Sequence, residues 1–293
     1  MNLEKYFAEK KRIIDEETDE ILPGGNVFPE TLSYGMRYAL FPGGKRIRPI
    51  LCLASCEAVG GDSSKIIRAA CSIEFVHTFS LIHDDLPAID NDDFRRGKPT
   101  LHKVIDEGKA ILVGDALLSM TFEVLANLKE IGEDVKVRLI QELSNASGLS
   151  GIVAGQVVDI ESEGKEVDAE TLDYIHRNKT AALIVAAVRM GAIGGGASAE
   201  ELDWLSNYGE NIGLVYQIVD DILDVKGDEK ALGKRVGANE RLKKATYPSL
   251  YGIEKSREIA SSLTEKAIGY LEKFDEKAEP LREIASFILR RKM

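Results

Sequence analysis

Apolar residues recur at helical spacing along almost the whole chain, and no stretch shows the alternating, β-branched pattern of a strand. Glycine and proline clusters interrupt the pattern at intervals, as turns between helices do. The sequence therefore predicts an all-α fold, a bundle of long helices of roughly 15 to 25 residues each. Examples of the expected helices are 101–130, 134–161 and 200–225.

Length and composition restrict the class of protein. The chain has 293 residues, 44% hydrophobic and 30% charged, and the glycine-rich stretch near 194 is too short and too apolar for a linker, so we expect a single domain over 1–293. The net charge of −11 argues against a nucleic-acid partner, since such a partner requires a basic face. The longest clean apolar run, 181–188, is too short to cross a bilayer, and no transmembrane segment is expected.

The cysteines and the N-terminus indicate where such a protein works. Cys52, Cys56 and Cys71 lack the CxxC spacing of a zinc site, and three thiols cannot all pair. The first twenty residues mix both charge signs, unlike a secretory signal or an acid-poor transit peptide. We therefore expect buried, reduced thiols and a cytoplasmic protein.

A dense acidic cluster follows one of the most apolar predicted helices. In "HDDLPAIDNDDFRRGK", residues 83–98, five aspartates occur within ten positions and are followed at once by Arg95, Arg96 and Lys98. Like charges crowded at the end of an apolar helix repel one another and lose hydration unless something compensates. Taken alone, the stretch is equally compatible with a solvated loop or with internal ion pairing.

A second acidic cluster favours a shared site. "NIGLVYQIVDDILDVKGD", residues 211–228, is another apolar helix that ends in Asp220, Asp221 and Asp224. Carboxylates that face each other from two helices of a bundle form a divalent-cation site. Oxygen ligands without histidine spaced among them select a hard cation such as Mg²⁺. An EF-hand calcium loop is excluded, because Phe94 and Arg95 stand where a ligand and a glycine are required.

The basic residues gather beside glycines, where backbone amides can also approach an anion. Mg²⁺ held by a few carboxylates keeps positions open for substrate phosphates, and Arg95 and Arg96 can bind phosphate oxygens bidentately. An acidic protein that concentrates its cations in this way is expected to bind a small polyanion. The other cations in such segments are Lys45, Arg46, Arg48, Lys179, Lys234 and Arg235.

Four motifs together resemble those of the all-trans isoprenyl diphosphate synthases, closest to the short-chain bacterial farnesyl diphosphate synthase type. They are "GGKRIRP", "SLIHDDLPAIDNDDFRRGKPT", "HRNKT" and "YQIVDDILDVKGD", and the similarity runs from about residue 30 to the C-terminal "FILRRK". The resemblance implies long helices around a central cavity, two aspartate motifs across its mouth, several Mg²⁺ ions bridged by substrate diphosphate, and a homodimer.

The resemblance also implies roles for single residues. The metal ligands are Asp84 and Asp90, with Asp85 as a supporting ligand, together with Asp220, Asp221 and Asp224. The allylic diphosphate is held by Arg95, Lys179, Thr180, Gln217 and Lys234. The second substrate, isopentenyl diphosphate, is held by Lys45, Arg48, His77 and Arg96. Two positions depart from the pattern, Ala181 where glycine is frequent and Arg235 where proline is frequent.

The expected reaction is chain elongation by ionisation, condensation and elimination. The allylic diphosphate, dimethylallyl or geranyl, ionises in a dry pocket, and the double bond of isopentenyl diphosphate attacks the cation. Phe79, five residues before Asp84, lies about 7.5 Å back along the helix. There it either packs as an ordinary core aromatic or forms the floor of the tail pocket, and the resemblance favours the floor and farnesyl diphosphate as product.

Three other functions compete with this hypothesis. A geranylgeranyl or longer-chain diphosphate synthase belongs to the same enzyme class and would differ in the depth of its tail pocket. A terpene cyclase also ionises an allylic diphosphate, but it does not need the "GGKRIRP" pocket for a second diphosphate. A non-catalytic regulatory subunit would be expected to lack metal carboxylates, and all of them are present here.

Overall fold

The computed structural model describes residues 1–24, 27–226 and 244–291. Long helices dominate this part of the chain, which confirms the all-α prediction. The first half contains α1 (Leu3–Ile21), α2 (Glu30–Leu40), α3 (Ile47–Ala58), α4 (Ile67–Asp84), α5 (Leu101–Ile105), α6 (Glu107–Ala126) and α7 (Glu133–Ser147). The second contains α8 (Ile152–Glu161), α9 (Ala169–Ile175), a π-helix (His176–Ala181), α10 (Ala182–Gly194), α11 (Ala199–Lys226), α12 (Tyr247–Tyr251), α13 (Ile253–Tyr270) and α14 (Glu279–Leu289).

Short irregular pieces connect these helices. There are 3₁₀ turns at Ser63–Ile66, Leu271–Lys273 and Glu276–Ala278. A two-stranded hairpin, β1 (Phe94–Arg95) and β2 (Lys98–Pro99), follows the first acidic cluster. Its turn residues Arg96 and Gly97 have φ of 53° and 76°, the positive values that a type I′ turn requires.

Two of the predicted helices are each divided in the structure. The segment 101–130 breaks at Asp106, which has φ of 82° and whose carboxylate accepts a hydrogen bond from the Lys109 amide at the start of α6. The segment 134–161 breaks between Gly148 and Gly151, where a Cβ on Gly151 would lie 1.9 Å from the Ala146 carbonyl oxygen. Helix α11 matches the prediction of 200–225 closely.

Helix α4 occupies the centre of the bundle, as its apolar circumference predicted. Ile73, Phe75 and Val76 are fully buried, and α4 packs along α6 and against α3 and α1. Helix α10 packs on α3. Glycine is needed at position 191 of α10 because a Cβ there would lie 1.9 Å from the Cys52 carbonyl oxygen of α3. Helix α11 lies between α10 and α13. The C-terminal ends of α4 and α11, which bear the two acidic clusters, border one cavity.

The three cysteines are buried and free, as predicted. Burial raises the pKa of the Cys71 thiol to about 12. Among the residues that the structure describes, no helix combines the length and the apolarity needed to cross a bilayer.

Candidate active site

A cavity of about 590 Å³ lies where the two acidic clusters meet. Its wall combines residues from α3, α4, α8, α9, α11, the hairpin and the π-helix. The loop before α3, the segment before α12 and Arg291 after α14 complete it. Most of the site residues predicted from the sequence line it: Lys45, Arg48, His77, Asp84, Asp90, Arg95, Arg96, Lys179, Thr180, Gln217, Asp220, Asp221 and Asp224. Lys234 lies outside the described residues.

The first acidic cluster is shaped by a tight turn after α4. The helix ends at Asp84, and the amide of Asp90 donates a hydrogen bond of 2.9 Å to the Asp84 carbonyl. Two carboxylates six positions apart are thereby brought to the same rim of the cavity. Burial raises the pKa of Asp84, while nearby Lys179 acts in the opposite direction. A cation at this rim would relieve the cost of burying the charge.

Arg95 and Arg96 point to different places, although they are adjacent. Arg95 donates to both oxygens of Asp85 at 2.9, 2.8 and 2.5 Å, and Asp85 is 4% exposed. Arg96 donates to the Gly43 carbonyl at 2.6 Å and lies against Gly44, where a Cβ would approach its guanidinium to 3.0 Å. Asp85, predicted as a supporting metal ligand, does not line this cavity and is instead paired with Arg95. Burial raises its pKa to about 6.

A basic corner of the cavity is formed by Lys45 in the glycine-rich loop before α3, Arg48 on α3, and His77 on α4. Arg48 Nη1 lies 3.5 Å from His77 Nε2, and its guanidinium lies over the Tyr216 ring at 5.7 Å. Burial, with the charges of Arg48 and Arg96, holds the pKa of His77 well below its usual range, so the imidazole is neutral. Lys45 reaches the same corner, 5.4 Å over the Phe287 ring.

The π-helix presents Lys179 and Thr180 to the cavity. A Cβ on Gly155 would lie 2.3 Å from the Lys179 backbone nitrogen, so α8 can approach this closely only with glycine at that position. The methyl group of Ala181, one of the departures from the family pattern, faces Gly213, where a second Cβ would lie 2.4 Å away. The additional methyl group of Ala181 is therefore accommodated by the glycine at position 213 of α11.

The second acidic cluster is held by partners from several elements. Arg291, after α14, donates to Asp220 Oδ1 at 2.8 Å. Asp221 is 1% exposed and accepts from Gln217 Nε2 at 2.8 Å and from the Tyr247 amide at 3.1 Å. Thr180 Oγ1 in turn donates to Gln217 Oε1 at 2.7 Å. The predicted polar residues of the π-helix and α11 thus form one hydrogen-bonded chain that ends on Asp221.

Sequence reasoning missed four charged residues of the cavity, Glu74, Asp159, Lys244 and Arg291. Asp159 lies on α8 and contacts Lys179 and Lys244 at 2.7 and 3.1 Å, and Lys244 also donates to Asp90 at 2.7 Å. The only signal for Asp159 is an acidic residue near the end of the largely apolar run "GIVAGQVVDIE", and Lys244 is one of several cations in "ERLKKA". Arg46 also borders the cavity, but it is 3% exposed and its guanidinium donates to buried Glu74 at 2.7 Å.

Phe79 does not border the open cavity. The described α4 residues that line it are Glu74, His77, Leu81 and Asp84. The Phe79 ring instead meets the edge of the His83 ring at 4.8 Å, and His83 Nε2 lies 3.1 Å from the Ile111 carbonyl of α6. The side chain is thus placed between the end of α4 and α6.

Comparison with known proteins shows the family and agrees with the fold. The chain matches the polyprenyl synthetase family model over residues 29–285. It is 47% identical to a geranylgeranyl diphosphate synthase of Cyanophora paradoxa, covering 99% of this chain and 97% of that protein. It is 48% identical to a heterodimeric geranylgeranyl pyrophosphate synthase large subunit 1, chloroplastic, of Arabidopsis thaliana, covering 97% and 78%. The crystal structure of an FPP/GFPP synthase from Zymomonas mobilis superposes with a TM-score of 0.88 at 39% identity, covering 98% and 99%.

The chain therefore belongs to the polyprenyl synthetase family and is a prenyltransferase of the short-chain isoprenyl diphosphate synthase type. The central cavity and the all-α fold agree with that class.

The donor set of the cavity fits Mg²⁺. Asp84, Asp90, Asp220 and Asp224 supply only oxygen atoms, which a hard cation prefers. Among the described residues, no group of three acidic, histidine or cysteine side chains is arranged to hold a metal ion by itself. Mg²⁺ does not need such a cage when one or two carboxylates and the phosphates of a substrate complete its shell.

Proposed function

We propose that this enzyme is an Mg²⁺-dependent isoprenyl diphosphate synthase that condenses an allylic diphosphate with isopentenyl diphosphate. One observation carries the proposal: the two acidic clusters and two separate groups of cations line the same cavity. Asp84, Asp90, Asp220, Asp221 and Asp224 would hold the metal ions, with Asp85 in support. When bound, the metal ions neutralise negative charge on the departing diphosphate.

The residues of the chain prepare the allylic substrate for ionisation. Arg95, fixed by Asp85, and Lys179 would bind the allylic diphosphate next to the first acidic cluster. Thr180 and Gln217, linked by their hydrogen bond, would place oxygen dipoles near the developing cation. The allylic carbon–oxygen bond breaks, and its electron pair leaves with the diphosphate.

The basic corner would bind isopentenyl diphosphate. Lys45, Arg48, neutral His77 and Arg96 surround one end of the cavity. The buried Nε of Arg48 has no hydrogen-bond partner among the described residues, so this donor is available to a phosphate oxygen. The double bond of the bound substrate attacks the cation, and the proton lost from the adjacent carbon goes to the departed diphosphate.

The direct test is incubation with dimethylallyl or geranyl diphosphate, isopentenyl diphosphate and Mg²⁺, with product length read by mass. We expect elongation that stops when the metal is chelated or when isopentenyl diphosphate is omitted. Turnover of the allylic diphosphate alone to a hydrocarbon would instead indicate a terpene cyclase.

For the product we propose farnesyl diphosphate, because Phe79 lies five residues before Asp84 on α4, where the family resemblance implies an aromatic floor, although its ring packs against His83 and does not border the open cavity. A geranylgeranyl diphosphate synthase is the second candidate. The names of the Cyanophora paradoxa and Arabidopsis thaliana relatives favour it.

The different surroundings of Arg95 and Arg96 predict different kinetic defects. Arg96→Ala should mainly raise KM for isopentenyl diphosphate, and Arg95→Ala mainly KM for the allylic substrate. Each increase should be about ten- to a hundredfold, because a hydrogen bond to a charged group contributes about 1.5 to 3 kcal/mol. Steady-state kinetics with each substrate varied in turn would measure both constants. Lys98→Ala, at an exposed position of the same hairpin, should change neither. Equal effects of both arginine variants on both constants would contradict the division.

We also propose that the chain forms a homodimer through apolar faces on α6 and α8. Val153, Val157 and Ile160 lie on one face of α8 and are 43, 48 and 40% exposed, and Ile111 and Leu112 of α6 are 41 and 58% exposed. Exposed apolar stripes of this kind mark interaction surfaces. The Arabidopsis thaliana relative is named as a subunit of a heterodimer.

If the apolar faces on α6 and α8 form the dimer interface, charged substitutions there should change the mass of the protein in solution. Combining Val157→Glu with Leu112→Glu should convert a dimer into a monomer in light scattering, since two charges cannot be buried unpaired at an interface. Leu250→Glu, at a residue 40% exposed on α12, serves as the control and should leave the mass unchanged. A wild-type monomer, or a dimer that survives both charges, would refute the assignment.

A cytoplasmic location remains a prediction that rests on the free thiols.

A further inference from the structure

One histidine of the cavity wall has no role in the proposed reaction. His176 is the first residue of the π-helix, is 4% exposed and borders the cavity. Its Nδ1 is buried and has no hydrogen-bond partner among the described residues. Burying a polar nitrogen without a partner costs free energy, so stability alone does not explain an imidazole at this position.

The ring of His176 stacks on the ring of Tyr247. The two centroids are 5.3 Å apart and the ring planes differ by 18°. Because Tyr247 begins α12, this contact joins α12 to the π-helix. A phenylalanine in place of the histidine could stack in the same way without burying an unpartnered nitrogen. The stacking contact therefore explains an aromatic ring here, but it does not explain the two ring nitrogens.

The second ring nitrogen faces a carboxylate of the second acidic cluster. His176 Nε2 lies 3.6 Å from Oδ2 of Asp221, which is 1% exposed. A carboxylate oxygen only accepts hydrogen bonds, so we assign the ring hydrogen to Nε2, the nitrogen that faces it. The contact is longer than a hydrogen bond, and it places the positive end of an N–H dipole beside a buried negative charge.

Both oxygens of Asp221 are oriented by other parts of the chain. Oδ1 accepts a hydrogen bond of 2.8 Å from Gln217 Nε2. Oδ2 accepts one of 3.1 Å from the Tyr247 amide and also faces the imidazole. These contacts come from α11, α12 and the π-helix, and together they restrict rotation of the carboxylate. Groups that orient metal ligands in this way are a general part of metal sites.

We propose that His176 is a positioning residue of the second acidic cluster: its Nε2–H and its stacking contact with Tyr247 hold the Asp221 carboxylate in the orientation that receives Mg²⁺. This inference rests on the proposed function. His176 acts through Asp221 and is not itself a ligand of the metal or of the diphosphate.

The experiment measures binding of inorganic pyrophosphate by calorimetry at a series of Mg²⁺ concentrations, so that no turnover is needed. His176→Phe keeps the stacking ring and removes both nitrogens. We expect the Mg²⁺ concentration for half-maximal pyrophosphate binding to rise about ten- to a hundredfold, as when other groups that orient metal ligands are removed. The isopentenyl diphosphate KM should change less than about twofold, since its proposed ligands Lys45 and Arg48 form a separate basic corner.

Two further variants distinguish the ring nitrogens. His176→Gln can place an amide nitrogen near the position of Nε2, whereas His176→Asn can place one only near that of Nδ1. The glutamine variant should recover much of the affinity for Mg²⁺, and the asparagine variant should not. This pair decides the question if His176→Phe does not fold.

The matched control is Tyr208→Phe, on the same helix as Asp221. It removes a buried hydrogen bond of 2.8 Å to the Leu281 carbonyl and should lower stability without changing the Mg²⁺ dependence. An unchanged Mg²⁺ dependence in His176→Phe, equal recovery by glutamine and asparagine, or an equal rise in the control would overturn the inference, because each indicates a purely structural role. If wild-type protein binds no pyrophosphate at any Mg²⁺ concentration, the proposed function itself fails, and the two failures are thereby distinguished.

Discussion

Replacing Asp84 or Asp220 by alanine should lower turnover by about a thousandfold or more, equivalent to about 4 kcal/mol of transition-state stabilisation. Each change removes one proposed metal ligand from the cavity. For Asp84→Ala the folding stability should change little, because burial disfavours the charged carboxylate there and raises its pKa. The measurements are kcat at saturating Mg²⁺ and the midpoint of thermal unfolding.

The control for this experiment is Asp203→Ala, on the same helix as Asp220 but exposed. It should leave turnover and stability unchanged. Near-normal activity of either active-site variant at saturating Mg²⁺ would refute the two-cluster metal site.

Phe79→Ala should shift the product from farnesyl diphosphate to geranylgeranyl or longer diphosphates. The ring fills the space beside His83 between α4 and α6, and its removal would lengthen the path available to a growing tail. Val76, fully buried and nearly one turn deeper, would become the next barrier. Product analysis by mass spectrometry would measure the shift.

Loss of a buried phenylalanine also costs about 3 to 5 kcal/mol of stability, so a control is needed. Phe274→Ala removes a similar ring, 9% exposed, which packs against Trp204. It should destabilise the protein without changing the product. An unchanged product distribution for Phe79→Ala would show that other residues form the floor, and a wild type that already makes geranylgeranyl diphosphate would support the second candidate.

The fold could be predicted because apolar spacing alone specifies long helices. The central position of α4 followed from its apolar circumference, and α11 was predicted almost to its ends. The break at Asp106 was missed, since an aspartate with φ of 82° leaves no mark in the pattern of apolar residues. The break at Gly148 and Gly151 had a visible signal, but two glycines in a helical pattern do not by themselves predict an interruption.

The site could be predicted where its residues are neighbours in the sequence. Clustered aspartates and paired arginines stand out locally. Lys244 does not, because its partner Asp90 is 154 residues away and the adjacent cations are equivalent by spacing. Sequence spacing also cannot show that the carboxylate of Asp85 turns toward Arg95.

The left-handed backbone at Arg46 separates two kinds of residue within one basic motif. With φ of 52° at the start of α3, Arg46 directs its guanidinium inward to Glu74, Asp15 and the Leu40 carbonyl. Lys45 and Arg48 border the central cavity without such carboxylate partners among the hydrogen bonds of the described residues. The same short motif therefore ties α1, α3 and α4 together and contributes Lys45 and Arg48 to the cavity wall. Efforts to redesign substrate selectivity can vary Lys45 and Arg48, whereas replacing Arg46 would leave buried Glu74 without its charge partner.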